Sequence, residues 1–204
     1  MITEIKAISK NKMQVLFDGE PAFTADRRTL RELGITDGAE WDEAGEAGLR
    51  ARVTRLACRS AMDLLLQRNH SRRQLADKLI RKGFAPEYAE AAVDYVDSYH
   101  YLDDTLMAVR FLEGHDRTMS RQEAFYKLKA KGLSSADIEA AFETAGWENW
   151  EAAASLIDAK FRDRSLPEGD ERERLYRSLI RKGFSASDIR RALSHLEDMR
   201  TDIE

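Results

Sequence analysis

Leu79-Ile-Arg-Lys-Gly-Phe84 returns unchanged as Leu179-Ile-Arg-Lys-Gly-Phe184, and a looser copy, Leu128-Lys-Ala-Lys-Gly-Leu133, lies between them. The glycines Gly83, Gly132 and Gly183 are 49 and 51 residues apart. A period of this size marks stacked copies of one small unit that cannot bury its apolar face alone. The likeness runs outward from the hexapeptide. Leu79, Leu128 and Leu179 stand four residues before the glycine, and Leu75, Ala124 and Leu175 eight before. Ala89, Ile138 and Ile189 stand six after it, then Ala92, Ala141 and Ala192, then Val93, Phe142 and Leu193. These offsets put small and apolar side chains on one face of a helix on each side of the glycine. The glycine suits the left-handed position just past a helix C-terminus, and the basic residues ahead of it complement that end of the helix dipole.

Capping signals sharpen the helices. Ser71-Arg-Arg-Gln74 and Ser120-Arg-Gln-Glu123 read as capping boxes, and Asp170-Glu171 places acid at the matching start in the third repeat. Pro86 fits a first turn, and Ser134 and Ser185 are N-cap candidates with Asp137 and Asp188 three residues on. Nine helices in three triplets follow: 49–68, 72–82 and 86–100; 103–114, 121–131 and 135–145; 149–162, 171–182 and 186–199. Upstream, Ile2 to Ile8, Met13 to Phe17 and Ala22 to Thr24 are β-prone, with turn candidates at Asn11-Lys12 and Asp18-Gly19. A short helix over 26–33 ends at Gly34, and the acidic, glycine-containing stretch from Gly38 to Gly48 is the expected domain boundary. The fold class is therefore mainly α: three tandem three-helix repeats forming an elongated curved array, preceded by a small N-terminal β-hairpin or strand extension. The expected domains are 1–46 for that extension, then 47–101, 102–146 and 147–204 for the repeats.

Composition narrows the class. Charged residues make up 34% and hydrophobic ones 43% of the 204 residues, which suits a soluble helical protein with much exposed surface. The single cysteine, Cys58, cannot form an internal disulfide, so a reducing compartment is expected. Met1-Ile-Thr-Glu-Ile-Lys6 lacks the apolar core of a signal peptide, and no run approaches the length of a membrane span. A cytoplasmic monomer is expected.

The net charge of −4 conceals an alternation. Residues 50–83 carry ten basic and two acidic side chains, a surplus of +8, and residues 84–116 carry one and eight, giving −7. Residues 117–133 stand at +4 and residues 134–160 at −5. Each repeat is basic before its glycine and acidic after it, with the contrast fading toward the C-terminus. Stacking would align the basic faces into a stripe suited to phosphates or to an acidic protein surface. A solvated helix face is the plainer reading of any one segment; the recurrence at one phase of the repeat favours the stripe.

No enzyme signature appears: there is no glycine-rich phosphate loop, no Gly-x-Ser-x-Gly and no paired cysteines. His70, His100, His115 and His195 lack metal-ligand spacing among themselves or with Cys58. Neither catalytic residues nor a cofactor nor a metal is expected. Asp103-Asp104 reads as a helix start rather than an acid–base pair. Cys58, the pair Trp147 and Trp150, and the run Tyr88, Tyr95 and Tyr99 read as packing residues, although the tryptophans could also stack on bases.

The stretch His70-Ser-Arg-Arg-Gln-Leu-Ala-Asp-Lys-Leu-Ile-Arg-Lys-Gly-Phe84, followed by Tyr101-Leu-Asp-Asp104 and Ala108, resembles the bacterial RecX family over roughly residues 50–200. That family has a Ser-Arg-x-Glu-Leu-x-x-Lys-Leu-x-x-Lys-Gly stretch, then Gly-Tyr-[Ile/Leu]-Asp-Asp and an alanine soon after. Here Gln74 replaces the usual glutamate, His100 stands where glycine commonly precedes the tyrosine, and Thr105-Leu-Met-Ala108 replaces the usual Glu-Arg-Phe-Ala. The resemblance implies a regulator that binds RecA and its filament on single-stranded DNA, and lowers recombinase, ATPase and SOS-coprotease activity. The basic stripe then supplies candidate contacts to RecA or DNA: Arg52, Arg55, Arg59, Arg72, Arg73, Lys78, Arg81, Lys82, Arg121, Lys127, Lys129 and Lys131. Two rivals stand beside this reading, a helical-repeat nucleic-acid-binding module without a RecA role and a scaffold for another protein.

Overall fold

The computed structural model of the protein describes residues 1–115, 118–162 and 165–201. Three strands, β1 (Thr3–Ala7), β2 (Met13–Phe17) and β3 (Glu20–Ala25), form an antiparallel sheet in the order β1-β2-β3. Asp18 and Gly19 both take positive φ, 50° and 84°, which is the two-residue turn that closes β2 onto β3 with Phe17 opposite Glu20. The short helix α1 (Arg27–Leu33) follows, capped by Asp26 and ended at Gly34.

The nine expected helices are α2 (Glu43–Gln67), α3 (Arg72–Lys82), α4 (Pro86–Ser98), α5 (Asp104–Glu113), α6 (Arg121–Ala130), α7 (Ser135–Thr144), α8 (Asn149–Phe161), α9 (Gly169–Arg181) and α10 (Ala186–Thr201). The clearest difference is α2, which starts six residues before the periodic reading, inside the stretch expected to be a boundary. Asp42 caps it by accepting from the Gly45 N–H at 2.8 Å, and Glu43 and Glu46 favour its positive end. Gly45 and Gly48 hide this turn from a propensity reading.

The hexapeptide is one helix-ending motif repeated. The Gly83 N–H donates to the Ile80 carbonyl at 2.9 Å and the Phe84 N–H to the Leu79 carbonyl at 3.2 Å. Gly132 and Leu133 bond Lys129 and Leu128 in the same way, as do Gly183 and Phe184 with Ile180 and Leu179. This is the Schellman pattern, with the first and last residues of the hexapeptide joined by the outer bond and both buried. The positive φ of all three glycines, 104°, 87° and 89°, is what it requires.

By contact the chain divides into two compact units, Met1–Asp103 and the remainder from Asp104. In the first, the sheet and the first triplet share one core: Val15 and Phe23 pack in the same cluster as Leu49, Val53, Leu75, Leu79, Ala89 and Val93. The Ala85 N–H donates to the Ala22 carbonyl at 2.7 Å, which draws β3 against the α3–α4 corner. In the second unit one core runs from Ala108 and Leu112 through Ile138, Phe142 and Trp147 to Ile157, Ile189 and Leu193. Residues of the second and third triplets thus fill a common interior, which is how incomplete repeats become stable. Of the two capping boxes expected, Ser71 and Gln74 form the reciprocal pair, whereas at Ser120 only the serine half is seen and Glu123 turns to Lys127; Ser120, Ser134 and Ser185 each accept from the backbone N–H three residues on. Among the described residues no helix is long and apolar enough to cross a membrane.

Candidate functional site

Basic side chains gather in the first unit where α2 turns into α3. Arg68 is the C-cap of α2, His70 is buried in the connection, and Lys78, Arg81 and Lys82 follow along α3. Lys82 Nζ donates to Ser60 Oγ at 2.9 Å, so the end of α3 is held against α2 one residue along from Arg59. Burial, and then the charges of Arg68, Arg81 and Lys82, push the Lys78 ammonium below its ordinary value. Burial, then Lys78 and Arg68, do the same to His70. A phosphate or carboxylate bound beside Lys78 and His70 would offset both their burial and the neighbouring positive charge.

The twelve candidate contacts sort into two kinds. Arg55, Arg59, Arg73 and Arg81 are exposed and form no ion pair among the described residues. Arg52 is committed inward, donating to the Leu33 carbonyl at 2.9 Å and lying over the Trp41 ring, so it braces α2 against the end of α1. Arg72 grips Asp94 and Asp97 of α4 with separate guanidinium nitrogens. Arg121 pairs with Glu139 of α7 and covers the Phe142 ring at 4.3 Å. Arg172 pairs with Glu197 of α10 at 2.6 Å. Arg72, Arg121 and Arg172 each stand eleven residues before their glycine. They are one repeated strap from the second to the third helix of each triplet.

The other basic candidates of the second unit are engaged to varying degrees. Lys127 pairs with Glu123 at 2.7 Å on its own helix, Lys129 reaches Ser135 at 3.4 Å, and Lys131 lies 5.4 Å from the centre of the Phe111 ring. Arg68 and His70 join the cluster although neither was a candidate. Their signal was present in the basic run of 50–83, but Asn69-His70-Ser71 reads as a helix break and nothing in the linear order shows that the break folds back onto Lys78.

The aromatic and thiol residues divide as well. Trp147 is buried in the second core 6.0 Å from Phe142, and Trp150 sits under Arg191 and beside His195. Tyr88 is buried and accepts from Arg50 at 3.3 Å; its hydroxyl is pushed up to about 12, chiefly by burial. Tyr95 and Tyr99 do not pack inward as expected. They are exposed and, with Tyr101, form a chain of rings 5.1 and 6.3 Å apart. The helical spacing placed them beside Tyr88, but α4 covers only its central stripe and leaves their flank in solvent. Burial raises the Cys58 thiol, the opposite of what a nucleophile needs.

Comparison with known proteins agrees with this architecture. Residues 57–95 match the model of the first three-helix domain of RecX, and residues 147–193 that of its third three-helix domain. The chain is 30% identical over 194 residues to the regulatory protein RecX of Caldanaerobacter subterraneus subsp. tengcongensis, covering 93% of this chain and 96% of that protein. It is 25% identical over 203 residues to the regulatory protein RecX of Bacillus subtilis, covering 96% and 77%. Its fold matches a crystal structure of regulatory protein RecX with a TM-score of 0.59 at 22% identity, over 95% of this chain and 98% of that one. A crystal structure of RecX from Lactobacillus salivarius matches with a TM-score of 0.60 at 18% identity, over 72% and 98%.

Proposed function

The chain belongs to the RecX family of regulatory proteins, and from that premise we propose that it binds RecA and the RecA filament on single-stranded DNA and restrains the filament's recombinase, ATPase and SOS-coprotease activities. The observation that supports this most directly is the crowded cation cluster of Arg68, His70, Lys78, Arg81 and Lys82, continued by Arg55, Arg59 and Arg73, which form no ion pair among the described residues. A nucleoprotein filament offers both partners such a cluster needs, phosphates and protein carboxylates. Contact there releases counterions and steers the encounter, so binding should weaken steeply as salt rises. No catalytic group is called upon: regulation follows from occupying the filament. The reading places the protein in the cytoplasm, acting as a monomer.

The test is RecA ATPase on single-stranded DNA with substoichiometric amounts of this protein. Turnover should fall as protein is added; unchanged turnover at equimolar protein would overturn the proposal. The same cations suit bare nucleic acid, so binding is also titrated on single- and double-stranded DNA with and without RecA. Tight binding to bare DNA at physiological salt, with no preference for filament, would favour a nucleic-acid module without a RecA role.

A further inference from the structure

The hexapeptide is identical in two helices that lie in different compact units, yet the fold explains only part of it. Leu79, Gly83 and Phe84, with Leu179, Gly183 and Phe184, are accounted for by the helix-ending motif and the core. The intervening Ile-Arg-Lys is only partly so: Lys82 Nζ bonds Ser60 Oγ, while the side chains of Ile80, Arg81, Ile180 and Arg181 are left exposed. Ile80 is 42% and Ile180 45% exposed, and Arg81, Lys82, Arg181 and Lys182 are exposed too. From Leu75 to Phe84 and from Leu175 to Phe184 the sequence of buried, half-buried and exposed positions is the same, position for position.

Of these three residues, the basic ones complement the end of the helix dipole, but neither packing nor local propensity calls for the isoleucine. A β-branched isoleucine is a poorer choice for an exposed helix position than alanine, leucine or lysine. The middle repeat ends its helix by the same motif with Lys129-Ala-Lys131 in their place. Neighbouring positions of α3 and α9 differ freely: Gln74, Asp77 and Lys78 face Arg174, Arg177 and Ser178 in the alignment of the repeats. Outside the hexapeptide, identity between the two helices is limited to the straps Arg72 and Arg172 and the buried pair Leu75 and Leu175.

We propose that Ile80-Arg-Lys82 and Ile180-Arg-Lys182 are duplicate docking epitopes for an apolar notch rimmed by carboxylates, and that one chain thereby holds two copies of the same protein partner. This deepens the filament reading and rests on it. The isoleucine selects the class of occupant. Phosphates would satisfy the arginine and lysine but give an exposed aliphatic side chain nothing to pack against, whereas an acid-rimmed apolar notch satisfies all three. Arg81 and Arg181 form no ion pair among the described residues, so their charge is available to such a rim. A polymer of identical protomers presents the notch repeatedly, and two linked contacts then hold far more tightly than one.

The experiment uses the full chain as Ile80→Ser, Ile180→Ser and the double variant, with circular dichroism confirming the fold. Binding is measured to RecA filament on single-stranded DNA, to RecA protomers immobilised too sparsely for two-handed contact, and to bare single-stranded DNA. Each single variant should lose at least about tenfold on filament, and the two losses should match. On sparse protomers each should lose only about twofold, because one of two equivalent patches remains. The double variant should lose both, and bare-DNA binding should not change. Single variants within twofold of a filament-binding parent would sink the epitopes and leave the regulatory reading standing. So would a large loss from only one of the two, or a matching loss on bare DNA. A parent that does not bind RecA in either form removes both ideas together.

Discussion

Replacing Gly83 by alanine should destabilise the first unit by about 3 kcal/mol, and the structure apportions the loss. At φ +104° an L-residue is strained, costing about 1–2 kcal/mol. The added Cβ would also stand 2.5 Å from the Thr24 Cβ and 2.4 Å from its Oγ1, closer than such atoms come. Relieving that overlap means moving β3 off the α3–α4 corner, and overpacking of this kind costs about 1–3 kcal/mol. The stiffer unfolded chain returns about 0.4–1 kcal/mol. Gly38→Ala is the internal control: its φ is +72° with nothing within 4 Å of the added atom, so only the backbone cost applies, about 1 kcal/mol net. Urea unfolding followed by circular dichroism should separate the two variants by about 2 kcal/mol, roughly a molar unit or more in midpoint at an m-value of about 1–2 kcal/mol/M. Thr24→Gly in the Gly83→Ala background should recover part of the difference, because removing the Thr24 Cβ clears the overlap. If Gly83→Ala and Gly38→Ala cost the same, the close approach of sheet and corner is wrong.

His100 takes a positive φ of 58° at the end of α4, where its N–H bonds Asp97 and the Tyr101 N–H bonds Val96, so His100→Gly should raise thermal stability by about 1 kcal/mol. A lower melting temperature would show that the imidazole itself contributes. Arg72→Ala and Arg121→Ala remove helix-to-helix straps and should each cost about 0.2–1 kcal/mol while leaving RecA-filament affinity within about twofold. Arg55→Ser, Arg59→Ser, Arg73→Ser and Arg81→Ser combined should instead weaken filament binding at least about tenfold and flatten its salt slope; the reverse ranking would contradict the sorting of the stripe. His70 is held below its ordinary 6.5, so the unfolded chain binds the extra proton first as pH falls. Its contribution to stability is therefore complete above pH 6.5 and declines below it. His70→Gln should show a shallower loss of stability between pH 7 and 5 than the parent, and parallel curves would exclude His70 as the cause.

The Arg72–Asp94/Asp97, Arg121–Glu139 and Arg172–Glu197 straps show why the site was only half legible. All three arginines fall at one phase of the repeat, and the +8 of residues 50–83 is plain in the composition. Yet linear order does not distinguish an arginine that faces a carboxylate of the next helix from one that faces water. Tyr95 and Tyr99 were misplaced for the same reason, since period 3.6 names a face but not the width of it that a neighbour covers. The exposed trio with Tyr101 emerged only when α4 was seen against its partners.

By itself the sequence determined what local physics controls: three helix-ending glycines with their buried Leu and Phe partners, serine caps, the strand pairing through Asp18-Gly19, and a mainly helical repeat with a small β extension. Those features depend on dihedral preference and hydrogen bonds within a few residues, so they are written in contiguous residues. Only the tertiary structure decided that the sheet shares a core with the first triplet, that Arg52, Arg72 and Arg121 are spent inside the fold, and that Arg68 and His70 close a cation cluster with Lys78. Such outcomes turn on distances between side chains far apart in the chain, where a few ångströms separate an internal ion pair from a free charge.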